Sequence, residues 1–192
     1  MTELKILIQG YSKQEGNGSL SSSTCVLVKE KGLNILVDPG IAKEKLALAL
    51  KNEGLKPEDI QYILLTHSHV DHAYAIALFP SAKILDDEWI YDGDKIEKHD
   101  GFIPGTELAI IHTPGHTLDH CSLAVSTEQG MVVIAGDVFW WPDHEEQKVE
   151  VGKHDEFAVD RKLLIESREK ILKIADFVIP GHGKMFRVEK QK

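Results

Sequence analysis

Apolar runs of strand length recur along the chain and are broken by glycine, proline and polar turns. "LKILIQG" at 4–10 predicts a first strand, and "YSKQEGNGSLSSS" at 11–23, rich in Gly, Ser and Asn, predicts a flexible surface loop. "TCVLVKE", the turn "KG" and "LNILVDPG" predict a hairpin over 24–40. "AKEKLALALKNEG" at 42–54 carries Leu46, Leu48, Ala49 and Leu50 in a segment that predicts a helix ending at a glycine. "QYILLTH" predicts a strand, "DHAYAIALF" a short helix closed by Pro80, and "AKILD" another strand. The polar region 86–105 predicts no clear element. "ELAIIHTPGHT", "CSLAVST" and "MVVIAGD" predict strands joined by turns, and 138–156 a long irregular stretch. "DRKLLIESREKILKIA" has helical spacing with Asp160 as N-cap. "DFVIPGHGKMFRV" predicts a strand, a Pro-Gly turn and a short strand.

Four of these strands, "QYILLTH", "ELAIIHTPGH", "MVVIAGD" and "DFVIPGH", end in a His or Asp at a Gly, Thr or Pro turn. Apolar strands that end so place their polar groups on one rim of a sheet sandwich, as expected of a site grafted on a rigid scaffold. The densest of these ends, "THSHVDH", holds His67, His69, Asp71 and His72 within six positions. His116, Asp137 and His182 stand at the other three ends. Imidazole and carboxylate together suit zinc, and also iron, manganese or nickel. His67 and His69, two apart in extended backbone, can grip one ion. Asp71 and His72, past the bend, can face a second. His99, His112, His144 and His154 lack such a setting and are expected to be ordinary histidines.

Composition narrows the field. The 192 residues fit a single domain spanning 1–192, and a formal charge of −9 opposes non-specific association with nucleic acid or anionic membranes. No stable DNA complex is expected. Cys25 and Cys121 are isolated in apolar strands, so they are expected as buried thiols, and the absence of a CxxC pair excludes cysteine zinc fingers. The N-terminal apolar run is too short for a signal peptide, and no run approaches the roughly 20 apolar residues of a membrane span. The expectation is a cytoplasmic protein; the sequence leaves homo-oligomerisation open.

The motifs "THSHVDH", "TPGHT", "AGD" and "PGHG", in this order and spacing, resemble those of the metallo-β-lactamase superfamily. The resemblance covers nearly the whole chain. It implies an α/β (α+β) fold, a four-layer αββα sandwich with a metal site on one rim. It also implies that His67, His69 and His116 bind one metal, that Asp71, His72 and His182 bind a second, and that Asp137 bridges them. Within the superfamily, "AGDVF", the acidic stretch after it and "ADFVIPGHGKMFRV" resemble the compact subgroup called metallo-β-lactamase domain-containing protein 1, which is associated with RNA cleavage in histone pre-mRNA 3′-end processing.

The implied enzyme is a binuclear hydrolase holding two divalent ions, zinc by preference with iron or manganese as alternatives. A hydroxide shared by two cations about 3.5–4 Å apart would attack a phosphodiester, as in RNA, or a related ester. Asp71 would orient that nucleophile, and His120 could protonate the leaving group. Trp140 and Trp141 could stack on a base or acyl group, or pack the following loop. Departures exclude relatives. Asp137 stands where the best-known zinc β-lactamases use cysteine, and no helical domain, cap insertion or flavodoxin domain is expected. Two alternatives remain: a small-molecule thioesterase, esterase or lactonase of glyoxalase II type, and a mononuclear iron persulfide dioxygenase.

Overall fold

A computed structural model describes residues 2–190. Seven strands form the first sheet in the order β1 (Glu3–Ile8), β4 (Cys25–Glu30), β5 (Leu33–Val37), β6 (Tyr62–Leu64), β7 (Lys83–Leu85), β8 (Trp89–Asp92) and β9 (Lys95–Lys98). Five form the second, β10 (Ala109–His112), β11 (Cys121–Thr127), β12 (Gly130–Trp140), β13 (Phe177–His182) and β14 (Phe186–Arg187). A separate hairpin pairs β2 (Tyr11–Glu15) with β3 (Gly18–Ser22). Among the described residues there are three α-helices, α1 (Lys43–Asn52), α2 (Val70–Ala73) and α3 (Arg161–Ile174), with short 3-10 turns at Pro57–Asp59 and Tyr74–Leu78.

The side-chain pattern explains the layering. On β4 and β5, Val26, Val28, Ile35 and Val37 face inward and meet Leu123, Val125, Val132 and Ile134 of the second sheet. The alternate residues Cys25, Leu27 and Leu36 face outward onto Leu46 and Leu50 of α1. On the other side Val133 and Ala135 of β12 pack against Leu164 and Ile171 of α3. Strands covered on both faces read as continuous apolar runs rather than alternating ones. The result is the expected αββα sandwich. Leu46 and Leu50 are one turn apart and fully buried, each contributing about 1.5–3 kcal/mol. α1 stops before Gly54, which adopts φ +71°. Asp160 caps α3 as expected, its Oδ1 accepting from the N–H groups of Lys162 and Leu163 at 2.9 and 3.0 Å.

β5, β6 and β7 run parallel, as do β12 and β13, with α1 and α3 as crossovers. Parallel strands deliver their C-terminal ends to one rim, where sites form in α/β sheets.

Four expectations need correction. The segment 11–23 is the β2–β3 hairpin, turning at Gly16 with φ +57°. The region 86–105 contains the β8–β9 hairpin, turning at Gly93 with φ +64°. Val138, Phe139 and Trp140 continue β12 rather than opening an irregular stretch, and Pro180-Gly181 lie within β13 rather than at a turn. No described helix is long and apolar enough to cross a membrane.

Candidate metal centre

The rim gathers all seven of the candidate ligands. His67, His69, Asp71 and His72 follow β6 and lead into α2; His116 sits in the β10–β11 connection; Asp137 lies on β12, and His182 ends β13. They divide into two sets, His67, His69, His116 and Asp137 in one and Asp71, His72 and His182 in the other, with the ligand atoms of each set within 4.8 Å of one another.

Asp137 stands between the sets. Its Oδ2 faces His116 Nε2 at 3.5 Å and His67 Nε2 at 3.9 Å. Its Oδ1 faces His72 Nε2 at 3.4 Å and His182 Nε2 at 3.6 Å. The pairing of β12 with β13 shifts register on both sides of Gly136, and such an irregularity re-aims side chains. Two motif glycines permit the approach. A Cβ on Gly181 would lie 1.8 Å from Asp137 Oδ1, and one on Gly136, at φ +50°, would lie 2.5 Å from Thr66 Oγ1. The glycines of "PGHG" and "AGD" are therefore steric requirements of the site.

Each buried imidazole is held from behind. Asp38 Oδ2 bonds His72 Nδ1 at 2.8 Å, and Asp155 Oδ2 bonds His116 Nδ1 at 2.8 Å. His182 Nδ1 donates to the Tyr11 carbonyl at 3.0 Å. Asp38 also accepts from Thr66, at Oδ1 from the backbone N–H (2.8 Å) and at Oδ2 from the hydroxyl (2.7 Å). Ser21 donates to Asp71 Oδ2 at 2.6 Å. These partners engage Nδ1 of His72, His116 and His182, so that each imidazole, once neutral, turns its Nε2 lone pair inward, the usual second layer of a metal site.

Electrostatics follow from crowding. Burial disfavours ionised Asp137, yet the charges of His72 and His182 hold its carboxyl well below the usual range. Burial likewise opposes protonation of His182, but Asp137, with help from Asp71, carries it up to about 9. His67, buried and pressed by His72, is pushed well below the ordinary histidine range. His67 Nε2, His72 Nε2 and Asp137 Oδ1 are buried and lack any hydrogen-bond partner. Buried polar atoms are almost always satisfied. Three buried polar atoms without a hydrogen-bond partner, converging with four more potential ligand atoms, fit a metal centre.

His120 behaves differently. It is fully buried; its Nε2 accepts from the Asp137 backbone N–H at 3.2 Å, and its Nδ1 contacts Thr113 Oγ1 at 3.1 Å. Burial pushes its pKa down to about 3. With both nitrogens engaged behind the site, His120 does not suit the leaving-group role expected of it; it positions the backbone of Asp137.

A cavity of about 240 Å³ opens from the cluster between Ser12, Ser19 and Ser21 of the hairpin and Trp140 and Phe157. It continues into a groove of about 570 Å³ that adds Lys13, Lys153, His144 and His154. Both tryptophans are largely buried; Trp140 lines this mouth against Phe157, and Trp141 stacks on Phe139. His144 and His154 lie beside the site, which their sequence setting did not suggest. Asp38, Thr66, Ser21 and Asp155 were missed. Asp38 ends the apolar run "LNILVDPG" at a Pro-Gly turn, the same signal that marked the ligands.

Comparison with known proteins agrees with this geometry. Residues 18–91 match the family model described as Metallo-beta-lactamase superfamily. Metallo-beta-lactamase domain-containing protein 1 of Xenopus laevis is 34% identical over 195 residues, covering 96% of this chain and 81% of that protein. The chain belongs to the metallo-β-lactamase superfamily. A putative metallo-beta-lactamase from Thermotoga maritima shares the metallo-β-lactamase fold, with a TM-score of 0.70 at 20% identity, over 97% of this chain and 99% of the other. An N-acyl homoserine lactonase of Bacillus cereus is 28% identical over 163 residues, covering 73% of this chain and 62% of that protein. The resemblance to metallo-β-lactamase domain-containing protein 1 read from the sequence is thus borne out at the level of family.

Proposed function

We propose that the chain is a two-metal hydrolase acting on phosphodiester bonds, with RNA or a related ester as substrate and zinc as the preferred ion. The observation that carries the reading is the split carboxylate of Asp137, one oxygen toward each imidazole set. His67, His69 and His116 would hold one ion, Asp71, His72 and His182 the other, and Asp137 both. A bound pair supplies Lewis-acid polarisation and brings the pKa of water toward neutrality. The chain's part is to shape where reaction occurs. Asp71, kept ionised by His182, His72 and Ser21 against the effect of burial, orients the attacking water from the hairpin side. Asp38 and Asp155 keep His72 and His116 in the tautomer that offers Nε2. Phe157 and Trp140 provide aromatic surface on which the bases of a single strand could stack, in a groove where Lys13 and Lys153 are balanced by Glu145 and Glu156 and Lys153 pairs with Glu145 at 3.3 Å.

A second reading has its own support. Among the described residues no Lys or Arg lines the inner cavity; Phe157, which does line it, is exposed, as are Leu20, Val70 and Leu118, which lie within two residues of lining positions in the sequence. An acyl ester or lactone fits such a rim, and some relatives are named as lactonases. One preparation assayed with bis-p-nitrophenyl phosphate, single-stranded RNA, a thioester and a lactone separates the two. Phosphodiester and RNA cleavage that Asp71→Ala abolishes supports the first. Turnover of ester, thioester or lactone alone replaces it with the second.

A further inference from the structure

The two walls of the groove are anchored differently. Among the described residues, the hydrogen bonds of the β2–β3 hairpin to ligand side chains go only to the Asp71, His72 and His182 set: Ser21 Oγ donates to Asp71 Oδ2, and the Tyr11 carbonyl accepts from His182 Nδ1. Among the described residues, no hydrogen bond joins it to His67, His69 or His116. Among the described residues, the hydrogen bonds of the opposite wall, 142–159, to the ligands go only to His116, although its Gln147 also exchanges hydrogen bonds with the Lys184 backbone, two residues past His182. Asp155 Oδ2 bonds His116 Nδ1, and the Val159 N–H donates to the His116 carbonyl at 3.1 Å. That wall is also clamped from beneath. The guanidinium of Arg168, on α3 and almost wholly buried, donates to the carbonyls of Val138, Val151 and Lys153 at 2.9, 3.0 and 2.6 Å. The walls meet where the Asp143 N–H donates to the Ser12 carbonyl at 2.7 Å.

We propose that each half of the metal cluster sets the position of one wall of the groove, the Asp71–His72–His182 half the hairpin and the His67–His69–His116 half the segment 142–159. This rests on the two-metal reading. The physical basis is reciprocal coupling. A hydrogen bond that orients a ligand for its ion must, when the ion fixes the ligand, also fix the partner. The hairpin is the more dependent wall. It is a two-stranded sheet separate from the main ones, and such hairpins are marginal on their own. The 142–159 wall keeps the Arg168 clamp, so its half of the cluster governs chiefly the stretch around Asp155. The groove is complete only when both halves are filled, which links substrate binding to a second ion that lies on the hairpin side.

Hydrogen exchange resolved by segment tests this, with zinc as the probe, on the wild type and on His69→Ala and His72→Ala. Each substitution disables one half without touching its wall. Zinc is expected to slow exchange in 11–22 but not in 150–159 of His69→Ala, and the reverse in His72→Ala, by about five-fold or more. Equal protection of both walls in both variants overturns the proposal. So does a wild type that binds two ions with neither wall protected. Should either variant fail to fold, Ser21→Ala and Asp155→Asn keep all ligands. Each is expected to weaken zinc at its own half by about 10–100-fold and spare the other. Loss shared equally between halves overturns the proposal. Fewer than two zinc ions on the wild type overturns the two-metal reading itself, whereas two ions without this partition overturns only the coupling.

Discussion

Asp38→Asn is the sharpest single perturbation of this site, because it preserves shape and changes only which atoms accept. The carboxylate receives three hydrogen bonds, from the Thr66 N–H at Oδ1 and from the Thr66 hydroxyl and His72 Nδ1 at Oδ2, all between 2.7 and 2.8 Å. An amide can place its oxygen on only one side. With oxygen toward Thr66 N–H, the NH₂ group meets His72 Nδ1 and forces the proton onto Nε2, the nitrogen that faces Asp137 Oδ1 at 3.4 Å. With oxygen toward His72, two N–H donors oppose each other at Thr66. Either way a buried donor is left unpaired or a ligand is spoiled, at a cost of about 1–3 kcal/mol in stability. Outer-layer partners of ligating histidines typically govern 10–100-fold in metal affinity, or about 1.4–2.7 kcal/mol. The expectation is therefore a lowered unfolding midpoint of the metal-free protein and a second zinc ion bound about 10–100-fold more weakly, the other nearly unchanged. Denaturant titration and competition with a chromophoric chelator measure both. An Asp38→Asn protein that binds two ions with wild-type affinity would falsify the assignment of Asp38 as the residue that sets the His72 tautomer.

Gly181→Ala, which drives a Cβ into Asp137 Oδ1, is expected to abolish two-ion binding while circular dichroism still reports a folded chain; wild-type metal content would contradict the steric reading of "PGHG". His120→Gln removes a ring that positions the Asp137 backbone, so it is expected to cost about 1–3 kcal/mol in stability and leave the pH profile of turnover in place; loss of one limb of that profile would restore His120 as the proton donor. In the metal-free protein His182 titrates near 9 rather than 6.5, so its contribution is fully present below pH 6.5 and is lost as pH rises through about 9. Melting temperature without metal is expected to fall over that range. With zinc the trend reverses, because ligation requires the imidazole deprotonated; parallel curves in both forms would count against His182 as a ligand.

Much of this was legible in the sequence, and for a physical reason. Strands buried on both faces must be apolar throughout, so a His or Asp at the end of such a run stands out, as His67, Asp137 and His182 do. The helices α1 and α3 were equally plain from Leu46 and Leu50 and from the Asp160 cap. What escaped was of two kinds. The β2–β3 and β8–β9 hairpins carry no apolar alternation because, apart from Ser22, none of their strand residues is fully buried, although Asp92-Gly93 is a strong turn signal. The residues that support the ligands come from distant positions. Asp155 lies in an acidic loop 39 residues from His116, and Ser21 lies 50 from Asp71, so only the fold reveals them. His120 shows the converse: its spacing from His116 suggested chemistry, and burial gives it a structural task.

The most direct test of the central claim is the metal content of the purified wild-type chain by elemental analysis, read together with hydrolysis on the same sample. The account predicts two divalent ions per chain, both lost with activity on chelation and both restored with it on adding zinc. A single iron per chain with oxygen uptake and no hydrolysis would contradict it.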